Sequence, residues 1–149
     1  MQKNHASRIA LSMLLTTVLG VGATQALAKT EIKGAAILDT PCGKVSVKQM
    51  GLIHAGKFDE ANKLSTKDMQ AQWAKAPASD RTMMMGMAKE MSQSEEQYTA
   101  AIKANGVLVV DGSTAALTVK TTTKDANGSS TSTVSQNFVI DGAQCLVSH

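Results

Sequence analysis

The sequence predicts an α+β fold in which N-terminal helices pack on one face of a curved antiparallel sheet formed by the C-terminal strands. Three observations predict it. Apolar residues recur at helical spacing from Thr40 to Ala104. Past Asn105-Gly106 the periodicity changes to two. The alternating part is divided by Asp111-Gly112 and Asp141-Gly142, pairs that suit tight hairpin turns. Helices grouped first and strands grouped last separate this pattern from the interleaved order of a parallel α/β sheet.

The first helix starts at Thr40-Pro41. A threonine hydroxyl can accept from the open amides of the first turn, and proline at the first helical position forfeits no hydrogen bond. Cys42, Val45, Gln49, Leu52 and Ile53 follow at helical spacing, and Gly56 suits the left-handed stop. A short helix over 58–64 turns Phe58, Ala61 and Leu64 inward. Ser65 and Thr66 then cap a third helix that carries Met69 and Trp73 one turn apart and ends at Pro77. The longest helix runs from about Asp80, capped by Ser79-Asp80, to Ala104. Met84, Met87, Met91, Tyr98 and Ile102 line its inner side, and Asn105-Gly106 ends it. Residues 29–40, ahead of all this, read as an extended segment, poorly anchored over 29–38 although Ile32 and Ala35 to Leu38 could lie against the body.

Four strands follow. Val107–Val110 leads into Asp111-Gly112. Ala115–Thr123 puts Leu117, Val119 and Thr121 on one face against Thr118, Lys120 and Thr122. After the loop 125–130, Thr131–Ile140 turns Val134, Phe138 and Ile140 inward, with Gln136 breaking the apolar pattern. Ala143–Ser148 closes the sheet with Cys145 and Val147 on one face.

Residues 1–28 have the parts of a cleavable signal peptide: Lys3 and Arg8, an apolar stretch from Ile9 to about Val21, and Ala26-Leu27-Ala28 at the cleavage site. The apolar run falls short of the roughly 20 residues a spanning helix needs. Cleavage after about Ala28 leaves 121 of the 149 residues, enough for one domain over 41–149 behind its extended segment. It takes the basic count from 15 to 13 against 12 acids, a nearly neutral balance without a basic stripe, which argues against nucleic acid as a partner. The expected location is periplasmic or secreted, with no membrane association after cleavage. In such an oxidising compartment the only two cysteines, Cys42 and Cys145, are expected to form a disulfide.

The segments His54-Ala55-Gly56-Lys57-Phe58-Asp59-Glu60-Ala61-Asn62-Lys63-Leu64, Val109-Val110-Asp111-Gly112 through Val119, and Val139-Ile140-Asp141-Gly142-Ala143-Gln144-Cys145-Leu146-Val147 together resemble small exported domains of the nuclear-transport-factor-2-like superfamily, cystatin-like in plan. The resemblance implies helices cupped by a curled sheet around a conical pocket. Two departures from the family pattern stand out: Lys57 where an aspartate is common, and Cys145 where a tryptophan is common. The second implies that a disulfide replaces an aromatic plug. The superfamily holds enzymes and non-catalytic modules alike, so the fold leaves function open.

Catalysis in such a pocket would need a carboxylate or imidazole in a low-dielectric cleft. Here Asp111 and Asp141 sit in turns, Asp59 and Glu60 at a helix start, and His54 and His149 lack evident partners, so no catalytic residue, cofactor or metal ligand is assigned. The methionines are the unusual feature, with Met83, Met84, Met85, Met87 and Met91 on one helix. Thioethers are soft ligands for Cu(I), but they also fill cores and form adaptable partner surfaces. The expected function is that of a non-enzymatic binding domain for a small apolar ligand or an unidentified protein. Met84, Met87, Met91, Tyr98 and Phe138 are the candidate residues lining the helix/sheet cleft. An inhibitor or immunity-type protein acting on an exported enzyme is the alternative, and an enzyme of this fold or a copper binder ranks behind both. Asn127-Gly128-Ser129 reads as a turn.

Overall fold

A computed structural model describes residues 28–125 and 128–149, with only the backbone for 122–125. Of residues 1–28, read from the sequence as a signal peptide, all but the last lie outside the described residues, as does Asn127 of the expected turn. The chain runs β1 (Thr30–Lys33), a 3-10 turn (Gly34–Asp39), α1 (Pro41–His54), α2 (Phe58–Asn62), α3 (Lys67–Lys75), α4 (Ala78–Met91), α5 (Glu95–Asn105), β2 (Gly106–Asp111), β3 (Thr114–Asp125), β4 (Gly128–Asp141) and β5 (Gln144–Ser148). The five strands form one antiparallel sheet in the order β1-β2-β3-β4-β5, and the helices cover one face of it. This is the α+β architecture expected.

The start of α1 follows from its sequence. Thr40 Oγ1 accepts from the Gly43 amide at 3.0 Å and donates to the Ile37 carbonyl at 2.6 Å, with Pro41 at the first helical position. At the turns between β2 and β3 and between β4 and β5, Gly112 and Gly142 both hold φ of 59°, which residues with a Cβ rarely adopt.

Two expectations are corrected. Residues 29–40 are anchored, because Thr30–Lys33 pair with Val107–Val110 as an edge strand and Ile37 is completely buried under α1 and α5. The turn approaches so closely that a Cβ on Gly43 would strike the Ile37 backbone carbonyl. The sheet therefore takes one strand from the N-terminal segment. The long helix of 80–104 is also two helices. Ser94 starts a new one with a capping box, its hydroxyl accepting from the Gln97 amide while the Gln97 side chain accepts from the Ser94 amide.

The core lies between α1, α5 and the sheet. Ile37, Tyr98, Ile102, Leu108, Leu117, Val119 and Phe138 are essentially inaccessible to solvent. Cys42 and Cys145 form a disulfide that ties the first turn of α1 to β5. Closing a loop of this size is worth about 4–5 kcal/mol in the chain-entropy model. The outer edge of β5 is covered by the α2–α3 connection, where the Thr66 amide donates to the Val147 carbonyl at 2.8 Å and the Val147 amide to the Leu64 carbonyl at 3.0 Å. At the other end of the sheet β3 and β4 run on with no further strand beside them among the described residues. β2 reaches only to Val119 on β3, and β5 reaches only to Asn137 on β4. Six residues of β3, from Lys120 to Asp125, thus extend as one strand of a two-stranded arm about 20 Å long.

Candidate functional site

The core between helices and sheet is packed. Tyr98 and Phe138, candidates for a cleft lining, are 0% and 1% exposed and belong to the core. What crosses that core is a buried polar chain. Ser46 donates its hydroxyl proton to Gln136 Oε1, so the Tyr98 hydroxyl, 3.1 Å from Ser46 Oγ, is the donor in that pair. Gln136 Nε2 donates to Gln49 Oε1, and Gln49 Nε2 donates to Ser65 Oγ at 3.2 Å and to the Ala61 carbonyl at 3.3 Å. The donors all point the same way, from α5 through α1 and β4 to the start of α3. Gln136, which interrupts the apolar alternation of β4, is the residue that joins sheet to helices. Burial raises the Tyr98 phenol above its ordinary range, and the bond to Ser46 opposes this only in part.

The chain of hydrogen bonds ends in the wall of a groove. α1, α2, α3 and α4 border an open apolar groove of about 190 Å³ lined chiefly by Ile53, Phe58, Met69, Trp73, Met84 and Met85. Gln49, Asn62 and Ser65 supply its polar end. The Ser65 hydroxyl accepts from Gln49 and so keeps its own proton to donate. Helical spacing makes the groove: Met69 and Trp73 are one turn apart on α3, and Phe58 precedes Ala61 on α2. A larger depression of about 490 Å³ beside Leu38, Lys44, Val47, Lys48, Glu95 and Thr99 is rimmed by charge, which makes it a poorer apolar site.

α4 has no buried residue. Its half-buried side is Arg81, Met85 and Ala88, at spacings of four and three, rather than the stripe of Met84, Met87 and Met91. Met84 stands at the groove's edge, 38% exposed, while Met87 and Met91 are 52% and 82% exposed and line no cleft. The inward methionine stripe is corrected accordingly. On sequence spacing alone the groove residues Phe58, Met69 and Trp73 are helix-face packing; the two one-turn apolar pairs on adjacent short helices are the available signal.

Every described aspartate, glutamate and histidine side chain lies at the surface. His54 Nδ1 is 3.4 Å from Ser92 Oγ, and His149 Nε2 is 3.0 Å from Gln72 Oε1. Among the described residues no helix is long and apolar enough to cross a membrane. No family model matches the chain, and neither a curated protein nor a solved structure matches it.

Proposed function

We propose that the protein is an exported, non-catalytic binding domain that takes up an apolar anchor of a protein partner in the groove between α1, α2, α3 and α4. The observation that carries the reading is the size of the groove. Small-molecule sites usually enclose about 300–1,000 Å³. A volume of 190 Å³ suits one or two apolar side chains instead. Met83, Met87 and Met91 continue the apolar surface beyond the groove on α4, and flexible thioethers adapt to partners of varied shape. The disulfide, the signal-like leader and the absence of a spanning helix among the described residues support export to the periplasm or beyond. Helices followed by an antiparallel meander covered on one face support the proposed kinship with the nuclear-transport-factor-2-like superfamily.

Trp73 is the only tryptophan in the chain and lines the groove, so it reports occupancy directly. Affinity capture from the native envelope should recover one stoichiometric partner with the unmodified protein. Trp73→Ala should lose it, and the purified partner should shift Trp73 emission. A partner captured equally well by Trp73→Ala, or one that leaves the emission unmoved, would show that the groove is not the site.

The arm of β3 and β4 favours a second reading, an inhibitor that inserts this hairpin into an exported enzyme. Shortening the arm to Val119 and Val134, with a two-residue turn, should then abolish partner binding while Trp73→Ala leaves it intact.

A further inference from the structure

The outward face of α4 concentrates sulfur where packing does not require it. Met83, Met84 and Met87 lie within little more than one helical turn and are 61%, 38% and 52% exposed. Met87 has Met84 at i−3 and Met83 at i−4, spacings that set Cβ atoms about 5–6 Å apart on a helix surface. A thioether chain has three rotatable bonds, so the three sulfurs can converge on one point above Met87. The helix turns a different side, Arg81, Met85 and Ala88, toward the body.

The surroundings select the kind of ion. Both cysteines are consumed by the disulfide, so the thioethers are the chain's remaining soft donors. No group of three or more His, Cys, Asp or Glu side chains is placed to hold a metal ion among the described residues, which argues against a hard or borderline divalent ion. Helical spacing puts Asp80 three residues before Met83 and Glu90 three residues after Met87, so acid stands at both ends of the sulfur cluster; Arg81 stands three residues before Met84 on the side turned to the body, and Lys89 lies off the cluster. Two carboxylates near three neutral sulfurs favour a monovalent cation over an anion or a neutral ligand.

We propose that Met83, Met84 and Met87 form a surface site for a soft monovalent metal ion, Cu(I), bound through three thioethers. The site shares Met84 with the rim of the groove and takes Met83 and Met87 from beyond it. Ligation changes no oxidation state and releases no proton, since methionine sulfur carries none.

The test is anaerobic titration of the purified, disulfide-intact protein with Cu(I) against a chromophoric competing chelator. One Cu(I) per chain at about micromolar affinity is expected, weakened by about 100-fold or more in Met83→Leu/Met84→Leu/Met87→Leu. Met85→Leu, on the packed side of the same helix, should bind as the unmodified protein does. Methyl NMR keeps the test valid should the triple variant misfold: Cu(I) should move the Met83, Met84 and Met87 methyl signals and leave those of Met50 and Met69 in place. Affinity should also be the same at about pH 5.5 as at about pH 7.5, because a thioether does not titrate where histidine does. Absence of micromolar binding, retention in the triple variant, or a tenfold loss at the lower pH would each overturn the proposal.

Discussion

Replacing Gln136 with methionine keeps the length and flexibility of the side chain but removes the amide that joins β4 to α1. Ser46, fully buried, loses the acceptor for its hydroxyl proton, and the oxygen of Gln49, 7% exposed, loses its donor. A buried polar group left without its partner costs about 1–3 kcal/mol. Two such groups cost about 4 kcal/mol, and the added apolar burial of methionine at this half-buried position returns about 1 kcal/mol. The net loss is about 3 kcal/mol. With a urea slope of about 1.5 kcal/mol per M for a domain of this size, the unfolding midpoint should fall by about 2 M. Equilibrium urea unfolding followed by far-UV circular dichroism reads this directly. The double variant Ser46→Ala/Gln136→Met removes one of the orphaned groups along with its partner. It should therefore be more stable than the sum of its two single variants implies, by about 1 kcal/mol. A Gln136→Met midpoint within about 0.3 M of the parent, or strict additivity in the double variant, would refute the claim that this chain of hydrogen bonds couples sheet to helices.

Further outcomes follow from the same packing. Tyr98 is the only tyrosine, so its ionisation can be followed by ultraviolet absorbance. Its folded value lies above the unfolded one, so its contribution to stability is complete below about pH 10 and is lost as pH rises through the folded value. Tyr98→Phe should remove that alkaline decline, and a native phenol titrating at the denatured value would refute it. Cys42→Ser/Cys145→Ser should cost about 2–5 kcal/mol in urea unfolding, and an unchanged midpoint would mean that the bridge adds nothing to the folded state. Gly43→Ala should destabilise the protein by about 2 kcal/mol or more, because its Cβ meets the fixed Ile37 carbonyl. Gly51→Ala, whose Cβ meets only the movable Glu95 side chain, should stay within about 0.5 kcal/mol of the parent; equal effects in thermal unfolding would contradict the close approach of the 3-10 turn.

Much of the fold was legible because local chemistry and global packing agree. Thr40-Pro41 marks the start of α1, and Asp111-Gly112 and Asp141-Gly142 mark two hairpins. Each is a backbone requirement met by a particular residue. The failures have equally physical causes. β1 is four residues long and gains its stability from pairing with β2, which lies more than seventy residues away. The break between α4 and α5 was hidden because Met84, Met87, Met91, Tyr98 and Ile102 keep helical spacing across Ser92-Gln93-Ser94. The capping box at Ser94 and Gln97 overrides that rhythm. On α4 apolar residues occupy several sides, so periodicity does not say which side packs, and the body takes Met85 and Ala88. The groove was illegible for a further reason, since four helices make it jointly and none shows it alone. Gln136 was visible as an exception to alternation, but its meaning depends on Ser46 and Gln49, residues of a distant helix.

The arm has a consequence for solubility. Past Val119 and Asn137 no further strand lies beside β3 and β4 among the described residues, and a sheet edge of this kind is one that a strand from another molecule could join. The arm's composition works against this: from Lys120 to Thr133 the sequence holds hydroxyl residues, two lysines, an aspartate, an asparagine, an alanine and a glycine, and not one large apolar side chain. A foreign strand laid along it would gain ladder bonds and almost no apolar burial. Valine or isoleucine in place of a few of these threonines would keep the pleat and supply the missing adhesive, turning an inert ribbon into a seed for fibres.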